Sequence, residues 1–338
     1  MQFASEWRDV SIQKSAISGG FAFVAMMLTA LVAAADETTP APDAPRPVFS
    51  LLTPIAGQFD IEASDTYQFI APDSIVRRRI NSSRDSAIHF VGDLGNDTMQ
   101  MPAILFSYWI DEVNAVQFQS RYFAVYGSRG SKRPLFFGGT TIAPQVLSTD
   151  GTRWFTVAGF YQRRLTPLYQ RYEAAWPWLL QGWDARAKIG LEFAYIDFRI
   201  NDGKPATSTF AQFAARVRLH EKELPIPTVG LEARKLVTPY LAIEITAQGS
   251  WANKWNSGRN ERGTVYLSQS SFETNWRLLY SDPALCGVTP FVGFNYYYFK
   301  IAETGSGVGN LLRIQQYGPQ LGFMYSLQSW DVWPFTAI

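Results

Sequence analysis

The feature that most constrains this chain is a two-residue alternation of apolar and polar side chains, which recurs in long segments of its last two-thirds. The apolar faces are Ile189, Leu191, Phe193 and Tyr195; Ala211, Phe213, Ala215, Val217 and Leu219; Leu241, Ile243, Ile245, Ala247, Gly249 and Trp251; and Phe272, Thr274, Trp276, Leu278 and Tyr280. Successive side chains of a β-strand point to opposite faces of the sheet. The alternation therefore predicts long strands that each have one apolar face.

The opposite faces of these segments carry full charges in mid-strand, such as Glu192, Arg216 and Glu244. A packed protein core does not accept such charges without partners. The apolar faces end in Tyr and Trp, which concentrate at membrane–water interfaces. An apolar outside, a polar inside and aromatic rims predict an all-β fold, a transmembrane antiparallel up-and-down β-barrel. A soluble exported β-sandwich is a weaker alternative, because it would have to bury the mid-strand charges.

The first 35 residues predict a secretory signal peptide. Arg8 and Lys14 precede an apolar run at 19–34, and three alanines before Asp36 form a cleavage site. An uncleaved anchor is the alternative, although the run is short for a membrane span. Residues 36–47 are rich in Pro and polar, which indicates an extended linker. Residues 36–85 are predicted to be this linker and a periplasmic lead-in, and residues 86–338 the barrel.

Composition excludes several classes of protein. The formal net charge is +1, so neither nucleic acid nor an anionic surface is an expected partner. Cys286 is the single cysteine, which excludes an intramolecular disulfide and a Cys-based metal cluster. No apolar run of membrane-helix length follows the signal peptide, and no cofactor is expected. The triplet Arg77-Arg78-Arg79 favours a solvated or phosphate-facing patch over a catalytic cluster.

Strand and turn signals predict about twelve strands. The candidates are Ser86–Gly92, Pro102–Ile110, Ala115–Tyr126, Arg153–Arg164, Leu168–Trp176, Ala185–Ile200, Thr207–His220, Thr228–Leu236, Tyr240–Asn253, Thr264–Tyr280, Thr289–Ile301 and Leu311–Leu327. Ten or eight strands are the alternatives, because Ser86–Gly92 and Leu168–Trp176 are weakly patterned. Tight connections such as Asp111–Asn114 alternate with longer ones such as Ser128–Gly151, and the tight side is predicted to be periplasmic.

The signal peptide, the alternating strands and the aromatic-rich strand ends make the chain resemble outer-membrane β-barrel proteins as a class. The resemblance covers Ser86 to Leu327 and is one of architecture, without a motif match to one family. It implies export to the outer membrane of a Gram-negative cell envelope. The implied partners are the outer-membrane lipid and the barrel assembly machinery. Proteins of this class usually end on an aromatic residue that closes the last strand, whereas this chain continues past Tyr325 to Ile338.

The phase of the alternation predicts which side chains line the lumen. They are Lys188, Glu192, Arg216, Arg218, Glu232, Arg234, Glu244, Glu273 and Arg277. Charges of both signs are interleaved, which favours ion pairs between neighbouring strands over a catalytic acid–base pair. If a water-filled gap separates these groups, they would line a narrow, porin-like channel for small solutes. If they fill the interior, the protein is a structural component of the envelope.

An enzymatic function is not expected, and a lipid-modifying barrel enzyme with an unrecognised site is the alternative. The outer-membrane phospholipase and lipid A deacylase families place a His and a Ser two residues apart on one strand face, where the His can take the Ser proton. His89 and His220 are the only histidines, and neither has a Ser at that spacing. Two histidines so far apart also form no metal site by local spacing.

Overall fold

The computed structural model of this chain describes residues 52–80, 86–125, 127–130, 133–137, 140–142, 146–149, 152–177, 181–198, 200–202, 225–256, 265–282, 285, 287–305 and 308–327. The strands are β1 Phe59–Ile70, β2 Ile75–Ile80, β3 Ile88–His89, β4 Thr98–Gln100, β5 Ala103–Trp109, β6 Asn114–Val125, β7 Ser128–Gly130, β8 Leu135–Phe137, β9 Thr140–Ile142, β10 Val146–Ser148, β11 Arg153–Arg164, β12 Trp183–Asp197, β13 Asn201–Asp202, β14 Ile226–Thr238, β15 Leu241–Asn256, β16 Val265–Tyr280, β17 Val288–Gly305 and β18 Val308–Leu327. A helix, α1 Thr166–Tyr169, and a 3₁₀-helix, Gln170–Ala175, lie between β11 and β12. Among the described residues, no helix is both long and apolar enough to cross a membrane.

The long strands form one antiparallel sheet that closes on itself. The order around the ring is β1, β18, β17, β16, β15, β14, β12, β11, β6 and β5, with β4 continuing β5 along β1. β1 pairs with β18 from Phe59 opposite Leu327 to Ile70 opposite Gln316, and its other edge pairs with β5 and β4. In the described residues the ring therefore has ten strands, with β4 and β5 counted as one. Closure leaves no long strand with an unpaired edge in the lipid.

The ring is staggered. A path that starts at Phe59 and moves from each residue to its direct partner on the next strand, through β5 and around the ring, arrives at Gln315 on β18. Phe59 itself pairs with Leu327 on β18. The two positions on β18 differ by 12 residues. A closed sheet with such a stagger has strands tilted against the barrel axis.

The two ends of the barrel differ in their connections. At the termini end, where β1 begins and β18 ends, strands are joined through residues 110–113, 239–240 and 281–287 and through the helical connection at 165–182. At the loop end, the connections at 71–97 and 126–152 are longer and contain short strands of their own, whereas β17 and β18 are joined through residues 306–307. Outer-membrane barrels have this asymmetry, with the short connections on the periplasmic side.

The predicted start of the barrel at residue 86 has to be corrected. The sequence pattern predicts a lead-in at 36–85, but Phe59–Ile70 within it is the strand that closes the ring. Its inward side chains are polar and buried, namely Asp60, Glu62, Ser64, Thr66 and Gln68. The outward face of β1 includes Ala63 and the exposed Asp65, so it is not continuously apolar. The predicted signal peptide at 1–35, the linker at 36–47 and the chain after Leu327 lie outside the described residues.

Three other predicted strands do not form ring strands in the described part of the chain. Ser86–Gly92 contributes only β3, which pairs with β2 at the loop end. Leu168–Trp176 lies in helical turns, and Pro167 in the first turn of α1 suits a helix start but cannot donate to a sheet. Thr207–His220 is outside the described residues, and β12 pairs directly with β14. Among the described residues the ring thus has ten strands, which agrees with the alternative of ten and not with the count of about twelve.

Over most of the barrel, burial along the strands is the reverse of that in a soluble protein. Exposed outward side chains are apolar, among them Ile189, Leu191, Phe193, Val229, Leu231, Val292, Leu321 and Phe323. Buried inward side chains are polar, among them Lys188, Glu192, Thr228, Glu232, Asn295, Gln316 and Gln320. Phe193, Phe323, Ile243 and Trp276 lie on the outward face as their phase predicts, and Phe213 is outside the described residues. This arrangement places lipid outside the ring and polar side chains inside it.

Near the loop end the polarity of the two faces is exchanged. On β18 the inward residues become Ile314 and Leu312, both fully buried, while the outward residues become Gln315 and Arg313. On β12 the inward face likewise continues with Ile196. An apolar interior with a polar exterior is the rule for protein surrounded by water. The strands therefore continue beyond the lipid layer at the loop end.

These inward apolar side chains form an apolar cap over the polar interior. It consists of one buried cluster that includes Phe90, Leu94, Met99, Phe123, Trp154, Phe198, Tyr297, Phe299, Leu312 and Ile314. The rings of Phe123 and Trp154 are stacked with centroids 4.1 Å apart, and Phe299 lies 5.1 Å from Trp154. Phe90, from the connection at 71–97, reaches Phe198 at 5.3 Å. This connection therefore folds over the barrel end and contributes to its closure.

Candidate functional site

The polar interior below the apolar cap is the candidate functional site, because it contains the predicted lumen-lining residues. The structure places Lys188, Glu192, Glu232, Arg234, Glu244, Glu273 and Arg277 on the inward faces of β12, β14, β15 and β16. None of the seven side chains is more than 11% exposed. Arg216 and Arg218 lie outside the described residues. The described charges are therefore shielded from solvent as well as inward-facing.

A continuous series of ion pairs, which we call the ion-pair chain, runs through this interior. Basic and acidic side chains alternate along it. Its members, in order, are Arg164, Asp184, Arg186, Glu232, Arg234, Glu244, Arg277 and Glu62. The chain begins on β11, passes over β12, β14, β15 and β16, and reaches β1 on the far side of the ring. The contact between Arg277 and Glu62 thus spans β17 and β18, which lie between β16 and β1 in the ring.

The register of the sheet explains why these charges meet. Arg186 is the direct cross-strand partner of Glu232, Arg234 of Glu244, and Glu244 of Arg277. Directly opposed side chains on neighbouring strands are within contact distance, and opposite charges there are favourable. The corresponding Arg–Glu distances are 3.0 Å, 2.6 Å and 3.2 Å. The long contact from Arg277 to Glu62, at 2.9 Å, depends instead on the closure of the ring.

A second group of polar contacts surrounds Glu273. Arg121 on β6 forms a salt bridge with Glu273 across the interior. Gln248 and Asn295 donate to the same carboxylate at 2.6 Å and 3.0 Å. Arg121 is only 2% exposed and was not among the predicted lumen residues, although it follows the alternation of β6. This group joins strands on opposite sides of the barrel and adds to the filling of its interior.

Lys188 and Glu192 take no part in the ion-pair chain, although both were predicted to line the lumen. The Nζ of Lys188 lies 5.1 Å from the centre of the Phe160 ring, a cation–π geometry. Oε1 of Glu192 is buried and has no hydrogen-bond partner among the described residues. Gly190 lies between Lys188 and Glu192 on the same face. The Phe160 side chain occupies the space where a Cβ at residue 190 would lie. Phe160 therefore interrupts the polar interior with an aromatic ring.

The termini end of the barrel is closed by residues 52–58, which precede β1. Arg186 donates to the carbonyl oxygen of Leu52 at 3.2 Å, and the backbone N–H of Gly57 donates to Trp109 at 2.8 Å. The indole of Trp109 donates to Asp60 at 3.1 Å. A cavity of about 10 Å³ lies here, lined by Asp60, Trp109 and Arg186 among others. This volume is at the lower limit for holding one water molecule.

The interior chemistry is that of paired charges. The carboxylates of Glu232, Glu244 and Glu273 accept hydrogen bonds from guanidinium or amide groups and are shielded from solvent. Catalytic acids and bases must instead reach a substrate proton directly or through one water molecule. Within the described ranges, no group of three or more His, Cys, Asp or Glu residues could hold a metal ion. The arrangement can link strands across the ring and exclude water from its centre.

No protein-family profile and no curated protein sequence matches the chain. Solved structures that are similar to it include the outer membrane protein OprG from Pseudomonas aeruginosa, with 9% identity, 82% of this chain and 100% of that chain covered, and a TM-score of 0.36. Another is the outer membrane protease OmpT from Escherichia coli, with 9% identity, 79% and 97% covered, and a TM-score of 0.39. A third is the toluene transporter TodX from P. putida, with 8% identity, 80% and 90% covered, and a TM-score of 0.28.

The fold class follows from the chain's own geometry. The long strands close into a ring, their outward faces are apolar and exposed, and their inward faces are polar and buried. These three properties together are those of a membrane-spanning barrel. The chain is a transmembrane antiparallel β-barrel, the architecture of the outer-membrane proteins to which it is similar.

Proposed function

We propose that this protein is a closed barrel of the outer membrane that acts as a structural component of the envelope and does not conduct solutes. The observation that carries the proposal is the ion-pair chain from Arg164 to Glu62, which occupies the interior from β11 to β1. Export by a cleaved signal peptide and insertion by the barrel assembly machinery belong to the same proposal. Outer-membrane lipid is the constant partner of such a protein.

Two layers oppose the passage of a hydrated ion. In the polar layer, an ion would have to displace buried side chains from their partners, and separating one buried ion pair costs about 3–5 kcal/mol. In the apolar cap, the path is filled by aromatic rings such as Trp154 and Phe299. An ion placed among apolar groups loses its hydration without compensation. A channel would need both layers to open together, so the structural role is favoured over the small-solute channel.

Planar-bilayer recording tests the proposal. Purified protein whose migration on a gel changes on boiling, which marks a folded barrel, is added to a bilayer in concentrated KCl. Insertion without stepwise current is expected. The matched comparison is Trp154→Ala combined with Arg186→Ala, which removes side chains from both layers and should admit at least intermittent current. Regular current steps from the unmodified protein, with an amplitude that scales with KCl concentration, would contradict the closed barrel.

We also propose that the protein is not a lipid hydrolase of the His/Ser type. His89 is located at the loop end, where its Nδ1 lies 3.4 Å from the carbonyl oxygen of Pro72 and its backbone N–H donates to Asp93. A carbonyl oxygen cannot serve as the nucleophile that such a mechanism needs. His220 is outside the described residues. Hydrolysis of phospholipid or lipid A by the purified protein, abolished by His89→Ala or His220→Ala, would show that the lipid-modifying alternative is right.

A further inference from the structure

Four buried polar side chains lie between the ion-pair chain and the apolar cap, and we call them the boundary layer. They are Glu192 on β12, Tyr297 on β17, Gln316 on β18 and Gln68 on β1, each the last polar inward residue before the inward face of its strand becomes apolar. The next inward residues toward the loop end are buried and apolar, namely Ala194, Phe299, Ile314 and Ile70. The four polar side chains therefore share one level, directly beneath the cap.

The boundary layer contains polar atoms that no described residue satisfies. Oε1 of Glu192, Oη of Tyr297, Oε1 of Gln68 and both amide atoms of Gln316 are buried without a hydrogen-bond partner in the described part of the chain. None of these four residues is more than 1% exposed. Buried polar groups in folded proteins almost always have a partner, which can be a bound ion. Several unsatisfied groups at one level therefore indicate a guest that supplies the missing contacts.

Three members of the boundary layer lie side by side on one wall of the barrel. Tyr297 and Gln316 are direct cross-strand partners. On the other side of Gln316 its partner is Ile70, two residues from Gln68 on the same face of β1. A phenol oxygen and two amide oxygens thus face the interior from β17, β18 and β1.

Glu192 faces this group from the opposite wall. In the ring, four strands lie between β12 and β18 on either side, so the two strands are diametrically opposed. Because Glu192 and Gln316 both lie directly beneath the cap, they face each other across the interior. The boundary layer therefore combines one carboxylate on one wall with neutral oxygens on the other.

The basic groups nearest to Glu192 are engaged with other side chains. Arg121 and Lys188 are the two that attract its carboxylate. Arg121 forms its salt bridge with Glu273, and Nζ of Lys188 lies against the Phe160 ring at 5.1 Å from its centre. A buried carboxylate is costly unless a cation or hydrogen-bond donors compensate it at short range. Glu192 thus provides negative charge for a further cation.

We infer that the boundary layer binds one monovalent metal ion of the size of sodium or potassium. Tyr297, Gln316 and Gln68 supply neutral oxygens, and Glu192 supplies the compensating charge from the facing wall. Hard cations prefer such oxygen atoms. A single carboxylate suits a monovalent ion better than a divalent one. The inference goes beyond the closed barrel proposed above, because an ion enclosed beneath the cap does not have to cross the membrane.

Urea unfolding of the full chain in phosphatidylcholine vesicles tests the inference. The unfolding free energy is measured in sodium chloride, in potassium chloride and in N-methylglucamine chloride at equal ionic strength. At least one of the two metal ions should stabilise the protein relative to N-methylglucamine, which is too large for the site. Above its dissociation constant, each tenfold rise in that ion should raise the folding equilibrium constant about tenfold, as binding of one ion requires.

Glu192→Gln keeps the size of the side chain and should abolish the difference between the salts. Tyr297→Phe keeps the ring in the cap and removes only Oη. It should raise the ion concentration that gives half the effect by at least about tenfold, and it serves if Glu192→Gln does not fold. Asp65→Asn is the control, because it removes an exposed carboxylate from the outward face of β1 and should leave the dependence on the ion unchanged.

Equal stability of the unmodified protein in the three salts would overturn the inference, since the ion would then not be needed. An undiminished preference for sodium or potassium in Glu192→Gln, or its loss in Asp65→Asn, would also overturn it. Current through a bilayer is not the measured quantity, so a conducting barrel would contradict the proposed function and leave this test unaffected.

Discussion

Arg234 on β14 and Glu244 on β15 are direct cross-strand partners, and Nε of the arginine donates to Oε2 of the glutamate at 2.6 Å inside the barrel. Oε1 of the same carboxylate accepts from Arg277, the partner of Glu244 on the next strand, at 3.2 Å. One carboxylate thus bridges two guanidinium groups and three strands.

Neutralising Glu244 should strongly destabilise the barrel. Glu244→Gln keeps the size of the side chain but leaves Arg234 and Arg277 without their shared anion, and breaking a buried pair in this way costs about 3–5 kcal/mol. Urea unfolding of the protein in lipid vesicles measures the loss. Thr246→Ala, on the same strand and face, removes only one neutral hydrogen bond and should cost about 0.5–1.5 kcal/mol. Equal losses for the two variants would show that the ion-pair chain contributes no special stability.

The outward face should tolerate charge only outside the lipid band. Val292 and Thr304 lie on the outward face of β17, Val292 among lipid-facing residues and Thr304 near the loop end. Val292→Arg should lower the free energy of unfolding by about 2–4 kcal/mol, whereas Thr304→Arg should change it by about 0–1 kcal/mol. The same vesicle unfolding assay compares them. A smaller penalty at Val292 than at Thr304 would mean that the lipid band has been misplaced.

Gly190 should be required for the packing of β11 against β12. A Cβ added there would lie 2.0 Å from the carbonyl oxygen of Gly159 and 2.7 Å from Cδ1 of Phe160. Gly190→Ala should therefore cost about 1–3 kcal/mol through overpacking. Gly159→Ala is the control, because a Cβ added at Gly159 meets nothing within 4 Å. Refolding yield and unfolding free energy measure both variants, and equal stability of the two would contradict the close approach.

The turn between β5 and β6 should hold the pKa of Asp111 below its ordinary value. The side-chain amide of Asn114 donates to Asp111 at 2.7 Å, and the backbone N–H groups of Val113 and Asn114 do the same. These hydrogen bonds favour the carboxylate and lower its pKa. Because the pKa is lower in the folded state, the turn is stabilised above the unfolded pKa of Asp111. This contribution disappears as the pH falls through the folded pKa.

NMR titration of the labelled Asp111 carboxyl in detergent checks this directly. The midpoint should lie below that of an unperturbed Asp and should rise in Asn114→Ala, which removes the first hydrogen bond. An unchanged midpoint in the variant would mean that the amide is not the main cause.

The strands and the orientation of their faces could largely be predicted from local pattern. A period of two is a property of neighbouring residues, so the inward phase of Glu232, Arg234 and Arg277 follows from the segments that contain them. β1 was missed because Ala63 and Asp65 interrupt its apolar face, although its inward residues alternate without a break. The apolar cap does not follow from the alternation, because the alternation predicts the same polarity of the inward face along the whole of each strand. The buried Ile196 and Phe198, beyond the last inward charge of β12, signal the exchange, as do Leu312 and Ile314 on β18.

The spacing of apolar and charged residues is enough to predict long strands with apolar outward and charged inward faces, because spacing is a local property of each segment. Which of these charges pair with one another across the ring depends on the tertiary structure. Arg277 reaches Glu62 over 215 positions of sequence because the ring closes between β1 and β18. The number and stagger of the strands fix the width of the ring, and the width fixes which side chains can meet across it. No local pattern contains that width, since it is a property of the complete circuit of strands.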